Sequence, residues 1–182
     1  MKKILWLVAG TILFTACQEP NTNNTEKPKE EVAKPMSALP KAILYKGEPS
    51  IGSNENMVKV INWNKYLEEA KLNSSAALLA DSVSIELEDG TVLAGPRDTI
   101  MAAVKQMVGM YDSVRINCVA VLPLNAKTEK GIAEWVFSWT DERYTAKAGG
   151  KSAHMNIHED YLLKNGKIIR VLQYRQVPPK AK

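Results

Sequence analysis

Cysteine is scarce in this chain of 182 residues, which contains only Cys17 and Cys118. Cys17 follows an N-terminal apolar run and is assigned a different role below, so Cys118 has no partner for an internal disulfide. Cys118 lies in a strand-like run and is interpreted as a small buried hydrophobic residue. The folded part therefore has to be stabilised by its hydrophobic core, for which a content of 45% apolar residues is sufficient.

The chain also lacks clustered charge. Removing Lys2 and Lys3 from the 24 Lys and Arg leaves 22, against 20 Asp and Glu, and no stretch gathers the small excess. Proteins that bind nucleic acid concentrate basic residues on one surface, so the sequence predicts no nucleic-acid partner. It contains no phosphate-binding loop, dinucleotide fingerprint or nucleophile elbow, and we expect no cofactor.

Long apolar runs are missing except at the start, where residues 4–14 follow two lysines. This run is too short to span a bilayer comfortably, and the arrangement predicts a secretory signal peptide over residues 1–16. Residues 13–17 (LFTAC) resemble the bacterial lipobox, in which small residues precede a cysteine that receives a lipid, although Phe14 stands where leucine is usual. Cys17 is therefore predicted to anchor the chain to a membrane.

Residues 17–40 are predicted to be a disordered tether. They are rich in Asn, Thr, Glu, Lys and Pro and have almost no apolar residues, so they cannot bury enough surface to fold. Gln18 is not the Asp that retains lipoproteins at the inner membrane of some bacteria. By that resemblance we expect a lipid-anchored protein of the bacterial cell envelope, at the outer membrane, with one folded domain over residues 41–182.

The first half of this domain has helical spacing. Apolar residues recur every three or four positions after Ser53 or Asn54, a second short helix is predicted at 76–80, and a third begins at Asp98. Between the second and third helices, residues 83–87 alternate as a strand, and the Asp-Gly pair at 89–90 predicts a hairpin turn.

The second half alternates with the period of a strand. Asn165 and Gly166 predict a tight turn between the last two of four long strands, at 114–122, 131–140, 152–163 and 167–177. Helices that precede a run of antiparallel strands indicate an α+β domain, with a curved antiparallel sheet wrapped around about three N-terminal helices.

Three local sequences in this order resemble the nuclear transport factor 2-like superfamily, in its SnoaL-like (polyketide-cyclase-like and ketosteroid-isomerase-like) branch. Residues 78–83 (LLADSV) resemble the end of the family's helical hairpin, residues 89–100 (DGTVLAGPRDTI) its entry into the third helix, and residues 162–168 (LLKNGKI) its C-terminal hairpin. The resemblance implies a cone-shaped sheet whose mouth holds a pocket. It implies no single activity, because the family includes isomerases, cyclases, dehydratases and non-catalytic binding proteins.

The resemblance also points to two positions in the pocket. The general base of the isomerases falls at Leu87, which cannot accept a proton, and its neighbours Glu86 and Glu88 are expected to be solvated on the other face. The second position, held by an acid in isomerases and cyclases, falls at about His158.

The strand around His158 carries a polar face of its own, formed by His154, Asn156, His158 and Asp160. If this face lines the cone, His158 is the acid/base residue and Asp160 orients it. If the face points outward, it is a solvated surface and the alternate residues Met155, Ile157 and Tyr161 lie in the core. The sequence leaves both open. On a strand the two histidines are about 13 Å apart, so no metal site is predicted.

Aromatic residues are the remaining candidates for the pocket. Trp63 and Tyr66 lie on the first helix, where the isomerase branch places a catalytic tyrosine, and Trp135 and Trp139 share one face of a strand with Phe137. These side chains either pack in the core or line an apolar cavity.

Three hypotheses follow. The first is a membrane-tethered domain that binds a small hydrophobic ligand without turnover, because Leu87 replaces the usual base. The second is an acid/base enzyme (an isomerase, cyclase or dehydratase) that uses His158 with Asp160 or a tyrosine of the first helix. The third is a protein-interaction module that forms homodimers through the open sheet face, as the resemblance implies.

Overall fold

A computed structural model describes residues 49–147 and 150–176. The predicted signal peptide, Cys17 and the tether lie outside these residues. The described part is an α+β fold, as predicted, and its elements in chain order are Ser50–Ile51 (β1), Asn54–Glu68 (α1), Leu72–Ala76 (α2), Leu79–Glu86 (β2), Val92–Pro96 (β3), Arg97–Val108 (α3), Tyr111–Thr128 (β4), Gly131–Ala146 (β5), Ser152–Lys164 (β6) and Lys167–Gln176 (β7). No helix within the described ranges is long and apolar enough to cross a membrane.

The strands form one curved, unclosed sheet in the order β1-β4-β5-β6-β7-β2-β3. All neighbours are antiparallel except β2 and β7, which run parallel. The turn between β6 and β7 has φ angles of 52° at Asn165 and 69° at Gly166. Two positive φ angles in succession are what a two-residue hairpin turn of type I′ requires, so the turn predicted from the Asn-Gly pair is confirmed.

The first and third helices begin within one residue of their predicted starts. The Ser53 side chain accepts a hydrogen bond of 3.1 Å from the backbone N–H of Glu55 and so caps α1. The second helix, predicted at 76–80, lies instead at Leu72–Ala76. Leu79 belongs to β2, where it pairs with Ile168 and is fully buried, and this pairing outweighs the local preference for a helix.

The core lies between the inner face of the sheet and helices α1 and α3. It contains apolar residues from the two helices and from four strands, namely Val60, Trp63, Leu79, Val83, Ile85, Ile100, Met101, Val104, Val136, Tyr161, Leu163, Ile168 and Val171. Along β5 and β6 successive side chains alternate between this inner face and the outer face. Which residues fall on each face decides where the functional site lies.

Candidate functional site

An open cavity of about 160 Å³ lies between the inner face of the sheet and helices α1 and α3. Most of its wall is apolar, formed by Leu67, Ile85, Leu87, Leu93, Val104, Met107, Val108, Val114, Ile116, Met155, Ile157 and Val171. Three aromatic and three polar side chains complete the wall, namely Trp63, Tyr111, Tyr144, Glu88, Glu142 and Gln173. A concave apolar site with a few convergent polar groups is the usual form of a small-molecule site.

Glu142 on β5 is the buried acid of this wall, with 4% of its surface exposed. Its Oε1 accepts a hydrogen bond of 2.7 Å from Thr140 Oγ1, and its Oε2 accepts one from the Tyr144 hydroxyl. Burial, followed by the charge of Glu159, raises the pKa of Glu142 to about 7, although the two hydrogen bonds oppose this shift. Glu142 is therefore a carboxyl group that can change its charge near neutral pH.

Tyr144 connects this acid to the aromatic part of the wall. Its ring lies 5.0 Å from that of Tyr111, measured between centroids. Burial and the charge of Glu142 raise the pKa of the Tyr144 hydroxyl, so this group remains a hydrogen-bond donor.

A second acid, Glu159 on β6, is 2% exposed and lies behind the wall. It accepts hydrogen bonds of 3.1 Å from Ser138 Oγ and 2.8 Å from Gln173 Nε2, and Tyr161 OH lies 2.6 Å from its Oε2. The same hydroxyl is 3.1 Å from Asn64 Oδ1, on α1. Because Gln173 also lines the cavity, it connects this buried network to the space where a ligand would lie.

The predicted polar face of β6 lies on the outer side of the sheet. The described residues that line the cavity do not include His154, Asn156, His158 or Asp160, whereas their neighbours Met155 and Ile157 do line it. The alternative in which this polar face lines the cone is therefore wrong. His158 Nε2 is 2.7 Å from Asp160 Oδ1, and His154 Nε2 is 2.6 Å from Asp141 Oδ2, so each histidine pairs with an acid on the outer face.

The aromatic predictions divide between the two faces. Trp63 is buried in the core and lines the cavity, whereas Tyr66 on the same helix is half-buried and is absent from the wall. Trp135 and Trp139 lie on the outer face, away from the core and from this cavity, and Trp139 instead lines an open pocket on that face with Asn156 and His158. The inner face of β5 carries the smaller side chains Val136, Ser138 and Thr140, all of which are buried.

The outer aromatic side chains form a continuous surface around His158. Its ring lies 4.7 Å from Trp139, 6.2 Å from Phe137 and 5.8 Å from Tyr174, and Phe137 stacks on Trp135. Trp139 is 41% exposed and Tyr174 is 50% exposed. The homodimer implied by the family resemblance stays a prediction.

No protein-family model matches the chain, and no curated protein matches it. Solved structures do match. A LEH-like epoxide hydrolase from M. tuberculosis is similar with a TM-score of 0.57 and 11% identity, over 68% of this chain and 84% of that chain. An NTF2-like protein of unknown function from Burkholderia pseudomallei is similar with a TM-score of 0.55 and 18% identity, over 68% of this chain and 92% of that chain.

The chain has the nuclear transport factor 2-like fold. A third similar structure, from Catenulispora acidiphila, has a ketosteroid isomerase-like fold and contains trimethylamine; its TM-score is 0.51 and its identity 12%, over 64% of this chain and 83% of that chain. At these identities the similarity establishes the fold, and the function has to be argued from the cavity.

The sequence pattern did not point to the acids and hydroxyl groups of the inner face. Glu159 is one residue from His158, the position to which the resemblance pointed, and Glu142 and Tyr144 lie beyond the predicted end of their strand at 140. One signal was available, since Glu159 is a charged residue within an otherwise apolar alternation of Met155, Ile157 and Tyr161.

Proposed function

We propose that this domain binds one small, largely apolar organic molecule in its interior cavity and holds it without chemical turnover. The observation that carries this proposal is the open apolar cavity with Glu142 and Tyr144 in its wall. Apolar walls favour entry of a hydrophobic body because apolar surface leaves water, and the polar pair provides hydrogen bonds that orient it.

The size of the cavity limits the class of ligand. A cavity of about 150 Å³ accommodates a single benzene ring, and the volume here is about 160 Å³. The ligand is therefore expected to have one ring or an equivalent number of carbon atoms. The trimethylamine in the similar structure from Catenulispora acidiphila is a ligand of this small scale.

Leu87 supports binding rather than isomerisation. It lies just beyond the end of β2 and lines the cavity, and the family resemblance aligns it with the general base of the isomerases. A leucine cannot accept a proton from a substrate. The acid/base enzyme stays an alternative prediction, for which the cavity offers Glu142 in place of the outward-facing His158.

Filling the cavity tests the proposal. Val114 on β4 is half-buried and lines the cavity, so the Val114→Trp substitution is expected to weaken the binding of one-ring compounds such as toluene and benzyl alcohol by about tenfold or more. The matched control is Ser113→Trp, at the exposed neighbouring position outside the cavity wall. Isothermal titration calorimetry of the full-length chain gives the affinities. Equal affinities in the two variants would contradict binding in this cavity.

The proposal places this domain at a membrane surface, tethered through a lipid on Cys17. Residues 13–17 (LFTAC) support the anchor, since they resemble the site at which bacterial lipoproteins are cleaved and acylated. We expect the full-length chain to incorporate labelled palmitate in a bacterial host, whereas Cys17→Ser incorporates none. Equal labelling of the Cys17→Ser variant would rule out the anchor.

A further inference from the structure

The charged groups of the cavity are all of one sign. Glu142 lies in the wall, Glu88 is exposed at its edge, and Glu159 lies behind Gln173. Among the described residues that line the cavity, none is Lys, Arg or His. Arg175 is the basic residue opposite Ile157 in the sheet, but it is exposed and is absent from the wall.

The hydrogen-bond partners of the two buried acids are uncharged. Glu142 accepts from the hydroxyls of Thr140 and Tyr144, and Glu159 accepts from hydroxyls and from the amide of Gln173. Such bonds orient a carboxylate but do not neutralise it. Because a buried charge is normally paired with an opposite charge, the group that this cavity lacks is a cation.

The aromatic wall also suits a cation. The Tyr144 hydroxyl donates to Glu142, the ring of Tyr111 lies 5.0 Å from that of Tyr144, and Trp63 is on the same wall. Aromatic faces attract cations through the ring quadrupole, most strongly where water is excluded. The apolar remainder of the wall accommodates the hydrocarbon part of the same molecule.

We propose that the cavity selects a small protonated amine, with its ammonium group at Glu142 and its hydrocarbon body against the apolar wall. This rests on the proposed function, namely that the cavity binds a small molecule. An ammonium group donates to the carboxylate and supplies the missing positive charge, which a neutral ligand of the same size does not.

Binding of an ammonium group in this arrangement is expected to release the proton of Glu142. The ionisable and hydroxyl groups around Glu142 are Thr140 and Tyr144 on β5, Tyr111 and Cys118 on β4, Glu159 and Tyr161 on β6, and Glu88 after β2, and none of them is basic. In the empty cavity the carboxyl therefore retains a proton up to about pH 7. A bound ammonium favours the carboxylate and displaces this proton, so amine affinity rises with pH, by up to tenfold per unit below pH 7.

The test compares three ligands of one shape: benzylamine, benzyl alcohol and toluene. At pH 8 the full-length chain is expected to bind benzylamine, which is protonated there, at least about tenfold more tightly than either neutral compound. Calorimetry in buffers of different ionisation enthalpy is expected to show protons released on benzylamine binding at pH 6 and few at pH 8. The proposal would be overturned if the neutral compounds bound as tightly as benzylamine, or if benzylamine binding released no protons at pH 6.

Two glutamine variants show whether the preference for benzylamine depends on the charge at Glu142 or on the overall charge of the protein. Glu142→Gln is expected to abolish both the preference for benzylamine and the proton release. The matched control Glu86→Gln removes the same charge on the outer face, where Glu86 lies 3.6 Å from Arg170, and is expected to keep the preference. If Glu86→Gln reduces it as much as Glu142→Gln does, the selection does not arise at Glu142 and the proposal fails.

The outcomes also distinguish this proposal from the proposed function. If neutral compounds bind as well as benzylamine and Val114→Trp abolishes that binding, the cavity is a ligand site and only the preference for a cation is wrong. If none of the three compounds binds, or if Val114→Trp has no effect on their binding, both proposals fail.

Discussion

Glu142→Gln is expected to be less stable than the wild type at pH 4 and more stable at pH 8. Burial and the charge of Glu159 raise the pKa of Glu142 from 4.5 to about 7 in the folded protein. Between these values the folded protein holds a proton that the unfolded chain has released. Because the folded state then binds more protons, the free energy of unfolding falls as pH rises through this range, by roughly 3 kcal/mol in total.

Glutamine does not ionise, so the free energy of unfolding of the variant does not fall in this way as pH rises. It accepts fewer hydrogen bonds than the carboxyl group does, which costs about 1 kcal/mol at all pH values because Thr140 and Tyr144 both donate to Glu142. The variant is therefore expected to be about 1 kcal/mol less stable than the wild type at pH 4, nearly as stable at pH 5 and about 2 kcal/mol more stable at pH 8.

Urea unfolding at pH 4, 5, 6, 7 and 8 measures the difference between variant and wild type, and the titrations that both proteins share cancel. Glu86→Gln is again the matched control, since Glu86 lies on the outer face and is half exposed. Its difference from the wild type is expected to stay nearly constant with pH. A constant difference for Glu142→Gln would show that the buried carboxyl does not hold its proton as described.

Local signals in the sequence were sufficient for most of the fold. The change from helical to strand spacing, the cap at Ser53 and the Asn-Gly turn at 165–166 each depend on nearby residues, and each lies where predicted. The second helix was misplaced because Leu79 is fixed by its pairing with Ile168, far away in the sequence. Strands β4 and β5 run on to Thr128 and Ala146, beyond their predicted ends, because each pairs with the other over this length.

The site was harder to predict for a geometric reason. A period of two shows which residues of a strand share a face, but it does not show which face is inside. His158 and Glu159 are adjacent, and a shift of one residue in the alignment exchanges a half-buried histidine on the outer face for a buried acid on the inner face. On β5 the large aromatics Trp135 and Trp139 point outward, against the usual expectation that the bulkier face is buried.

Trp63→Ala is expected to give the largest loss of stability, about 3–5 kcal/mol in the free energy of unfolding. Trp63 lies on α1, is only 3% exposed and packs in the main core cluster. Its removal takes a large apolar surface out of the core and leaves a void. The existing cavity lies beside Trp63, so part of the indole makes no contacts there and the loss is expected near the lower end of this range.

A matched control lies on the same helix. Val58 is exposed, so Val58→Ala is expected to change stability by no more than about 0.5 kcal/mol. The total stability of a domain is only about 5–15 kcal/mol, so Trp63→Phe, with a smaller expected loss, is measured alongside in case the alanine variant does not fold. A loss below about 1 kcal/mol for a folded Trp63→Ala variant would mean that the indole is not part of the packed core.

Trp63→Ala is also expected to increase the size of the ligand that the cavity accepts. Trp63 is both a core residue and part of the cavity wall, so its truncation joins the space of the indole to the existing volume of about 160 Å³. The variant is expected to bind naphthalene, which has two rings and does not fit the wild-type cavity. Binding of naphthalene by the wild type with equal affinity would contradict the size limit. If the variant is folded but does not bind naphthalene, the space left by the indole has collapsed, since voids in protein cores relax to different extents.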